Sequence, residues 1–224
     1  DENDSYSYDM KPVDIDSVKN ANLKDYKLGY YSNYYEEDSL YRKNIDLLKS
    51  KGANLIKIEP KNISLPNFRK LLDEDMRTDL VKYLNDYGNE NLLVKDIKSI
   101  IDYNSLDSVT RAPYGQGIFE GIIKDTMSET DFKLLKEKLS FNGNEFFDSD
   151  YDKYDLDAVI SINNYHAGYA AVAHNPCLTV PMGFRNDNRP AGLTFIGKSK
   201  SEQLLYEIGY AYEQISKKRK APNN

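Results

Sequence analysis

The chain has 224 residues, with 30 lysines and arginines against 36 aspartates and glutamates, for a net charge of -6. At 40% hydrophobic and 29% charged it has the composition of a globular protein, not a disordered one. Its acidic balance argues against a general nucleic-acid binder. One cysteine excludes an internal disulfide and a multi-cysteine metal site, and two histidines leave little room for a histidine-based metal cluster.

Residues 1–24 are polar without sustained periodicity and read as an extended lead-in. The chain starts Asp1-Glu2-Asn3-Asp4, without an initiator methionine or a signal peptide, as a processed product or a fragment would. Tyr26 to Tyr31 is a short aromatic strand. Leu40, Tyr41, Ile45 and Leu48 fall at helical spacing, so Ser39 to Ser50 is a helix, ended by Gly52. Ala53 to Ile58 is a second strand, stopped by Pro60. Strand, helix and strand over about 30 residues make the βαβ pattern of a parallel sheet.

The middle is mostly helical. Leu65 to Tyr87 carries Phe68, Leu71, Leu72, Met76, Leu80, Val81 and Leu84, a one-sided apolar stripe. Helices over Val94–Tyr103, Ile118–Thr126 and Ser128–Leu139 follow, the last opened by the acidic cap Ser128-Glu129-Thr130-Asp131. Residues 142–155, rich in Asn, Asp and Tyr, read as a connector.

The last third is strand-rich. Asp157 to Ile162 is a buried strand. Cys177 to Val180 and Gly192 to Gly197 form a hairpin around the turn residues Arg185 to Arg189. Ser199 to Ser216 is a closing helix with Leu204, Leu205, Ile208, Ala211, Tyr212 and Ile215 on one face. Lys217-Lys218-Arg219-Lys220 reads as a solvated helix end that complements the dipole. No internal repeat, and no linker separating two domains, is visible, and no apolar run approaches the ~20 residues of a membrane span.

Local motifs point to no chemistry on their own. Asp148, Asp150, Asp152 and Asp155 lack the Gly and Glu positions of an EF-hand loop. Cys177 lies in an apolar strand and reads as buried and inert. His166 and His174 lack further metal ligands at suitable spacing. Gly115 and Gly117 open a helix, but Gly121 falls one place too far for a dinucleotide fingerprint. Lys95 sits inside an amphipathic helix. No serine stands between glycines, and no partnered base is evident.

The order of several segments in the last third nevertheless resembles the amidase signature family. Pro176-Cys177-Leu178-Thr179-Val180-Pro181-Met182-Gly183-Phe184 resembles that family's Pro-x-x-Ser/Thr-aliphatic-Pro-x-Gly-aromatic segment, with His174 where members often carry glycine. Pro190 to Gly197, then Ser201-Glu202-Gln203-Leu204-Leu205 and Tyr210-Ala211-Tyr212-Glu213-Gln214, resemble the family's closing strand and helix. Tyr154 to Val159 is similar to its preceding strand. This match covers about the last 70 residues. Asp25 to Tyr31 resembles the strand that opens the family's second half. Arg111 to Gln116 and Asn163-Asn164 are more similar to peptide-amidase-like bacterial members than to the transamidosome component.

The resemblance implies an α/β fold, the C-terminal half of the amidase signature fold, with a mixed sheet flanked by helices over 1–224 as part of a single domain. It implies hydrolysis of linear carboxamides by a Ser–cis-Ser–Lys triad, with backbone N–H groups holding the oxyanion and no cofactor. Those residues lie in the family's first half. Its glycine–serine nucleophile loop is absent from these 224 residues, so no catalytic residue is expected here. Asp1-Glu2-Asn3-Asp4 would then lie just after the family's mid-domain helix.

What remains for this half is scaffold and pocket wall. The loop Asn163-Asn164-Tyr165-His166 would face the substrate cleft, and Arg111, Tyr114 and Gln116 would border it. Arg111 would fork to a substrate carboxylate or carbonyl, or form a surface or interdomain salt bridge. Thr179, Pro181 and Gly183 would shape a core strand, and Gly192 would permit close packing. The implied partners are the N-terminal half of the same amidase and a small amide or peptide-amide substrate, without nucleic acid or membrane. Self-association is also expected, because a divided sheet exposes strand edges and apolar surface. Two other readings stay open: a non-catalytic binding module derived from an amidase, and a glutamine-dependent amidotransferase A-type subunit.

Overall fold

Residues 27–58 form the expected strand–helix–strand unit. In the computed structural model, which describes residues 8, 9 and 11–221, the order is α1 (Ile15–Asn20), β1 (Lys27–Tyr31), α2 (Ser32–Glu37), α3 (Ser39–Ser50) and β2 (Asn54–Ile58). Then come α4 (Phe68–Tyr87), α5 (Ile97–Ser105), α6 (Ser108–Arg111), α7 (Gly117–Lys124) and α8 (Glu129–Tyr154). The chain ends with β3 (Ala158–Ile162), α9 (Ala167–Val172), β4 (Cys177–Phe184), β5 (Pro190–Gly197) and α10 (Glu202–Ser216). It divides into two compact units, one of residues 1–63 with 142–224 and one of residues 64–141.

The first unit holds a five-stranded sheet in the order β2-β1-β3-β5-β4. Strand β1 runs parallel to β2 and β3, and β5 runs antiparallel to β3 and β4, so the sheet is mixed. Alternate strand residues point to opposite faces. On one face Leu28, Ile160, Leu193 and Phe195 meet Tyr41, Ile45 and Leu48 of α3 and Leu205, Ile208 and Tyr212 of α10. On the other, Ile58, Val159 and Ile196 meet Phe146, Phe147 and Tyr151 of α8, Ala170 of α9 and Ala173 just after it. Each such fully buried large side chain stabilises the fold by about 1.5–3 kcal/mol. Several tyrosines fill this core, and three of them, Tyr41, Tyr151 and Tyr212, have their hydroxyls paired. Tyr41 donates to the Ile160 carbonyl at 2.8 Å, and Tyr212 donates to Asn44 Oδ1 at 2.6 Å. Gly52, at φ 83°, closes α3 in the left-handed region that glycine adopts without strain.

Several expectations are corrected here. The lead-in is not wholly extended. Asp14 caps α1 by accepting from the N–H groups of Asp16 and Ser17 at 3.0 Å, and a 3₁₀ turn follows at Leu23–Asp25; Asp1 to Asp4 lie outside the described residues. Residues 142–155 are not a connector but, up to Tyr154, the second half of α8. Their Asn and Asp content disfavours a helix, yet Phe146, Phe147 and Tyr151 are buried on one side, and tertiary packing outweighs propensity. Asp150 is buried there, not solvated, and pairs with Lys61 Nζ at 3.0 Å. Finally, Cys177 is exposed at the first residue of β4, not buried. The hairpin strands run longer than predicted, to Phe184 and from Pro190, with a register shift between Pro181 and Gly183. Pro181 is tolerated because β4 is an edge strand among the described residues.

The second unit contains α4 to α7 and the start of α8. Helix α5 starts at Ile97, not Val94, because Asp96 and Ser99 form a reciprocal capping box. Lys95 therefore precedes the helix. The apolar stripe on α4 is present but only partly covered: Phe68, Leu71, Leu80, Val81 and Leu84 are half-buried, and Leu72 and Met76 are exposed. The one buried residue of α4 is Glu74, which pairs with Lys70 at 3.3 Å and with Arg77. Among the described residues, no helix is long and apolar enough to cross a membrane.

Candidate functional site

The carboxyl ends of the parallel strands β1 and β3 lie side by side, and open α/β sheets bind ligands outside such ends. The loop after β3 is Asn163 to His166, and the helix after β1 brings in Tyr34. Four of the predicted site residues are therefore collected here, but their side chains differ in what they are free to do.

Asn163 is a structural clasp. Its backbone is left-handed at φ 47°, which asparagine tolerates better than most residues. Its Oδ1 accepts from Gly192 N–H at 2.7 Å, and its N–H donates to the Gly192 carbonyl at 3.0 Å. Its own carbonyl accepts from Thr194 Oγ1 at 2.5 Å. Gly192 is the close approach that the sequence predicted: a Cβ there would lie 2.3 Å from Thr179 Cγ2. Asn164 and Tyr165 are exposed, and the Tyr165 ring stands edge-on to Tyr34 at 5.8 Å between centroids.

His166 is buried in an aromatic box of Tyr31, Tyr34, Phe146 and Tyr169. Its Nδ1 lies 2.8 Å from Ser161 Oγ and its Nε2 lies 3.4 Å from the Tyr34 hydroxyl. Burial in this box lowers its pKa to about 4, so it is neutral at pH 7. A neutral imidazole has one donor and one acceptor nitrogen. One of these two hydroxyls therefore donates to the ring and the other accepts from it.

The fold thus creates a serine–histidine contact that sequence spacing did not reveal. It lacks the features of a nucleophile and its base. Ser161 is fully buried in β3, and its hydroxyl is engaged by the imidazole. The contact instead locks the loop against the sheet. Beside it is a cleft of about 80 Å³, lined by Ser161, Asn163, Asn164, His166, Cys177 and Thr179 among others. Partial burial of the sulfur raises the Cys177 thiol pKa, which keeps it a poor nucleophile although the residue is exposed. Among the described residues no group of three or more His, Cys, Asp or Glu side chains is placed to hold a metal ion.

The other three predicted site residues fall in the helical unit. The Arg111 guanidinium stacks over Tyr103, 3.9 Å from the ring centroid, and donates to the Tyr103 carbonyl at 2.7 Å. Among the described residues it makes no ion pair. Tyr114 is fully exposed between α6 and α7. Gln116 ties the start of α7 to α5: its Oε1 accepts from Asn104 at 3.2 Å and its Nε2 donates to Ser105 Oγ at 3.1 Å. The residues that sequence reasoning missed are Ser161, Tyr31 and Tyr34. The dense tyrosine run from Tyr26 to Tyr41 was the available signal for the last two.

Comparison with known proteins supports the family resemblance. No family model matches the chain. The crystal structure of an amidase family protein from Bacillus anthracis superposes with a TM-score of 0.83 at 31% identity, covering 94% of this chain and 43% of that one. A probable amidase of Arabidopsis thaliana is 26% identical over 216 residues, 90% of this chain and 40% of its own length. The A-type subunit of the glutamyl-tRNA(Gln) amidotransferase of Pelagibacter ubique is 24% identical over 248 residues, 96% of this chain and 50% of its own length. The chain is thus similar in sequence to amidases and to amidotransferase A-type subunits, and similar in its mixed-sheet fold to an amidase family protein. It spans about half the length of the curated relatives it matches.

Proposed function

We propose that this chain is the C-terminal half of an amidase that hydrolyses linear carboxamide C–N bonds. In this reading the Ser–cis-Ser–Lys machinery lies in the other half of the fold, and this chain supplies scaffold and one wall of the substrate pocket. The observation that carries the reading is the 0.83 TM-score match to an amidase family protein, at 31% identity, over nearly the whole chain. The site agrees with it in character. A rigid loop is held by Asn163, Ser161 and His166, and it presents Asn164 and Tyr165 outward. Those groups can bind and orient an amide, and none of them can attack one. The three residues of the helical unit have a lesser part in this reading, with Gln116 as a strut and Arg111 as a stacked surface cation.

The test is ammonia release from peptide amides and simple carboxamides. The chain alone should be silent, and it should gain activity when mixed with a polypeptide carrying the glycine–serine loop and the lysine. Turnover by the chain alone overturns the reading. The amidotransferase relative favours a second reading, part of a glutamine-dependent enzyme that works on aminoacylated tRNA. That reading predicts glutaminase activity coupled to an acceptor, with no hydrolysis of unrelated peptide amides. A binding module derived from an amidase predicts neither activity in either mixture.

A further inference from the structure

The start of α3 and the β4–β5 hairpin turn enclose a polar cavity of about 310 Å³, at the small end of the roughly 300–1,000 Å³ range of ligand pockets. One wall is Ser39 and Lys43, a turn apart on the same face of α3. The other is Phe184 at the end of β4 with the turn residues Arg185 and Asp187. Hydrogen bonds fix the two walls to each other. Asn44 of α3 donates to the Met182 carbonyl of β4 at 3.1 Å, and Arg185 Nη2 donates to Asp38 Oδ2 at 2.8 Å. The Arg185 N–H closes the turn on the Arg189 carbonyl at 2.8 Å. Little ordering therefore remains to be done when a ligand enters.

The charges at this corner are unevenly committed. Asp38 accepts from the Leu40 and Tyr41 N–H groups at 3.0 Å as well as from Arg185, and Asp187 pairs with Arg189 at 2.6 Å. Both carboxylates are thus occupied. Lys43 is exposed and pairs with no carboxylate among the described residues. Lys220, in the basic run after α10, reaches back over the Phe184 ring with Nζ 5.9 Å from the centroid, and it too has no carboxylate partner among them. The Arg185 guanidinium keeps N–H groups beyond the one that Asp38 takes. Phe184 itself is 43% exposed. An exposed aromatic face beside two unneutralised cations matches a flat ring joined to a phosphate, whose charge approaches two. A carboxylate side chain of a partner protein would meet one lysine and leave the ring uncovered. A flat anionic bilayer does not enter a cavity between a helix and a turn.

We propose that this cavity binds a phosphorylated nucleoside, with its phosphate between Lys43 and Arg185 and its base on the Phe184 ring. The flexible stem of Lys220 lets its ammonium move from the ring to the phosphate as the base takes its place. A free nucleotide and the end of an RNA strand present this same chemistry. The net charge of -6 confines the attraction to this corner of the molecule. The proposal is independent of the amidase reading, since it involves neither the Asn163–His166 loop nor any group assigned to hydrolysis.

The probes are adenosine 5′-monophosphate, adenosine, ribose 5-phosphate and a short single-stranded oligoadenylate, each titrated into the full chain by calorimetry. The monophosphate should bind at least about tenfold tighter than adenosine or ribose 5-phosphate, since each of these lacks one of the two contacts. Phe184→Ser should lower its affinity about tenfold, to the level of ribose 5-phosphate, and leave ribose 5-phosphate binding unchanged. The double variant Lys43→Gln with Lys220→Gln should do the converse. It should lose about tenfold for the monophosphate at low salt, leave adenosine unchanged and flatten the salt dependence. All three positions are exposed, so the thermal melt should not move. If Phe184→Ser lowers the melt, Phe184→Leu keeps the apolar bulk without the ring face and gives the same readout. Oligoadenylate binding about tenfold tighter than the monophosphate supports the site with RNA as its source, and equal or weaker binding supports it with a free nucleotide. Monophosphate binding no tighter than ribose 5-phosphate overturns the proposal and leaves a cluster of surface cations. So does an affinity that these variants leave unchanged, or no binding at about millimolar concentration.

Discussion

The sheet unit and the helical unit solve the burial problem differently. In the sheet unit both faces of five strands are covered, by α3 and α10 on one side and α8 and α9 on the other. In residues 64–141 only Ile97, Ile122 and Leu139 are fully buried apolar side chains, while thirteen of the eighteen exposed large apolar residues of the described chain lie there. The helical unit is therefore held less by a core than by caps and ion pairs, such as the Asp96–Ser99 box and the Lys70–Glu74–Arg77 cluster. Elements with few buried apolar contacts sit at the low-stability end of a fold. What the contrast teaches is that similar apolar content can serve internal cohesion in one region and outward contact in another.

The largest effect expected from this contrast is a paired truncation. Phe195→Ala, in the fully buried sheet core, should cost about 3–5 kcal/mol in urea unfolding, whereas Leu106→Ala, 80% exposed, should stay within about 0.5 kcal/mol. Comparable losses at both positions would mean that the helical unit has a hidden core.

The next effect concerns pH. His166 has a folded pKa of about 4 against about 6.5 unfolded, so below pH 6.5 the unfolded state binds more protons. Its contribution is present above pH 6.5 and is lost as pH falls through that window to 4, by about 3 kcal/mol in all. His166→Gln should flatten that part of the stability–pH curve, read by denaturant midpoints at pH 7.5, 6 and 5. An unchanged slope would place the histidine in a more solvated setting than its aromatic box.

The smallest effect tests the clasp beside the loop. Gly192→Ala should destabilise by about 1–3 kcal/mol, since the new methyl group overlaps Thr179 Cγ2. Thr179→Ser removes that carbon while keeping the hydroxyl that meets Thr194 at 2.8 Å, and should recover most of the loss in the double variant. Strict additivity of the two substitutions would show that the clash lies elsewhere.

Much of the sheet unit is legible in the order of residues alone. Val159, Ile160 and Ile162 belong to a mostly apolar run that suits a buried strand, and α10 reads directly from Leu205, Ile208 and Tyr212. The second half of α8 is not legible, because Asn142 to Asp155 has loop composition and its helix depends on Phe146 and Tyr151 finding a sheet to pack on. The candidate site is half legible. The resemblance located Asn163 to His166, but spacing alone does not tell a ligand-facing asparagine from one clasping Gly192.

The sequence by itself determined the periodicities, the βαβ order, the glycine at the tight approach and the family resemblance, because these are local or linear properties. Only the tertiary structure decided which polar side chains are free. Ser161 and His166 are five residues apart and meet because a turn follows β3, while Tyr34 reaches them from 132 residues away through the pairing of β1 with β3. Whether a polar group binds a ligand or its own fold depends on which partners the fold brings within hydrogen-bond reach, and no local pattern records that.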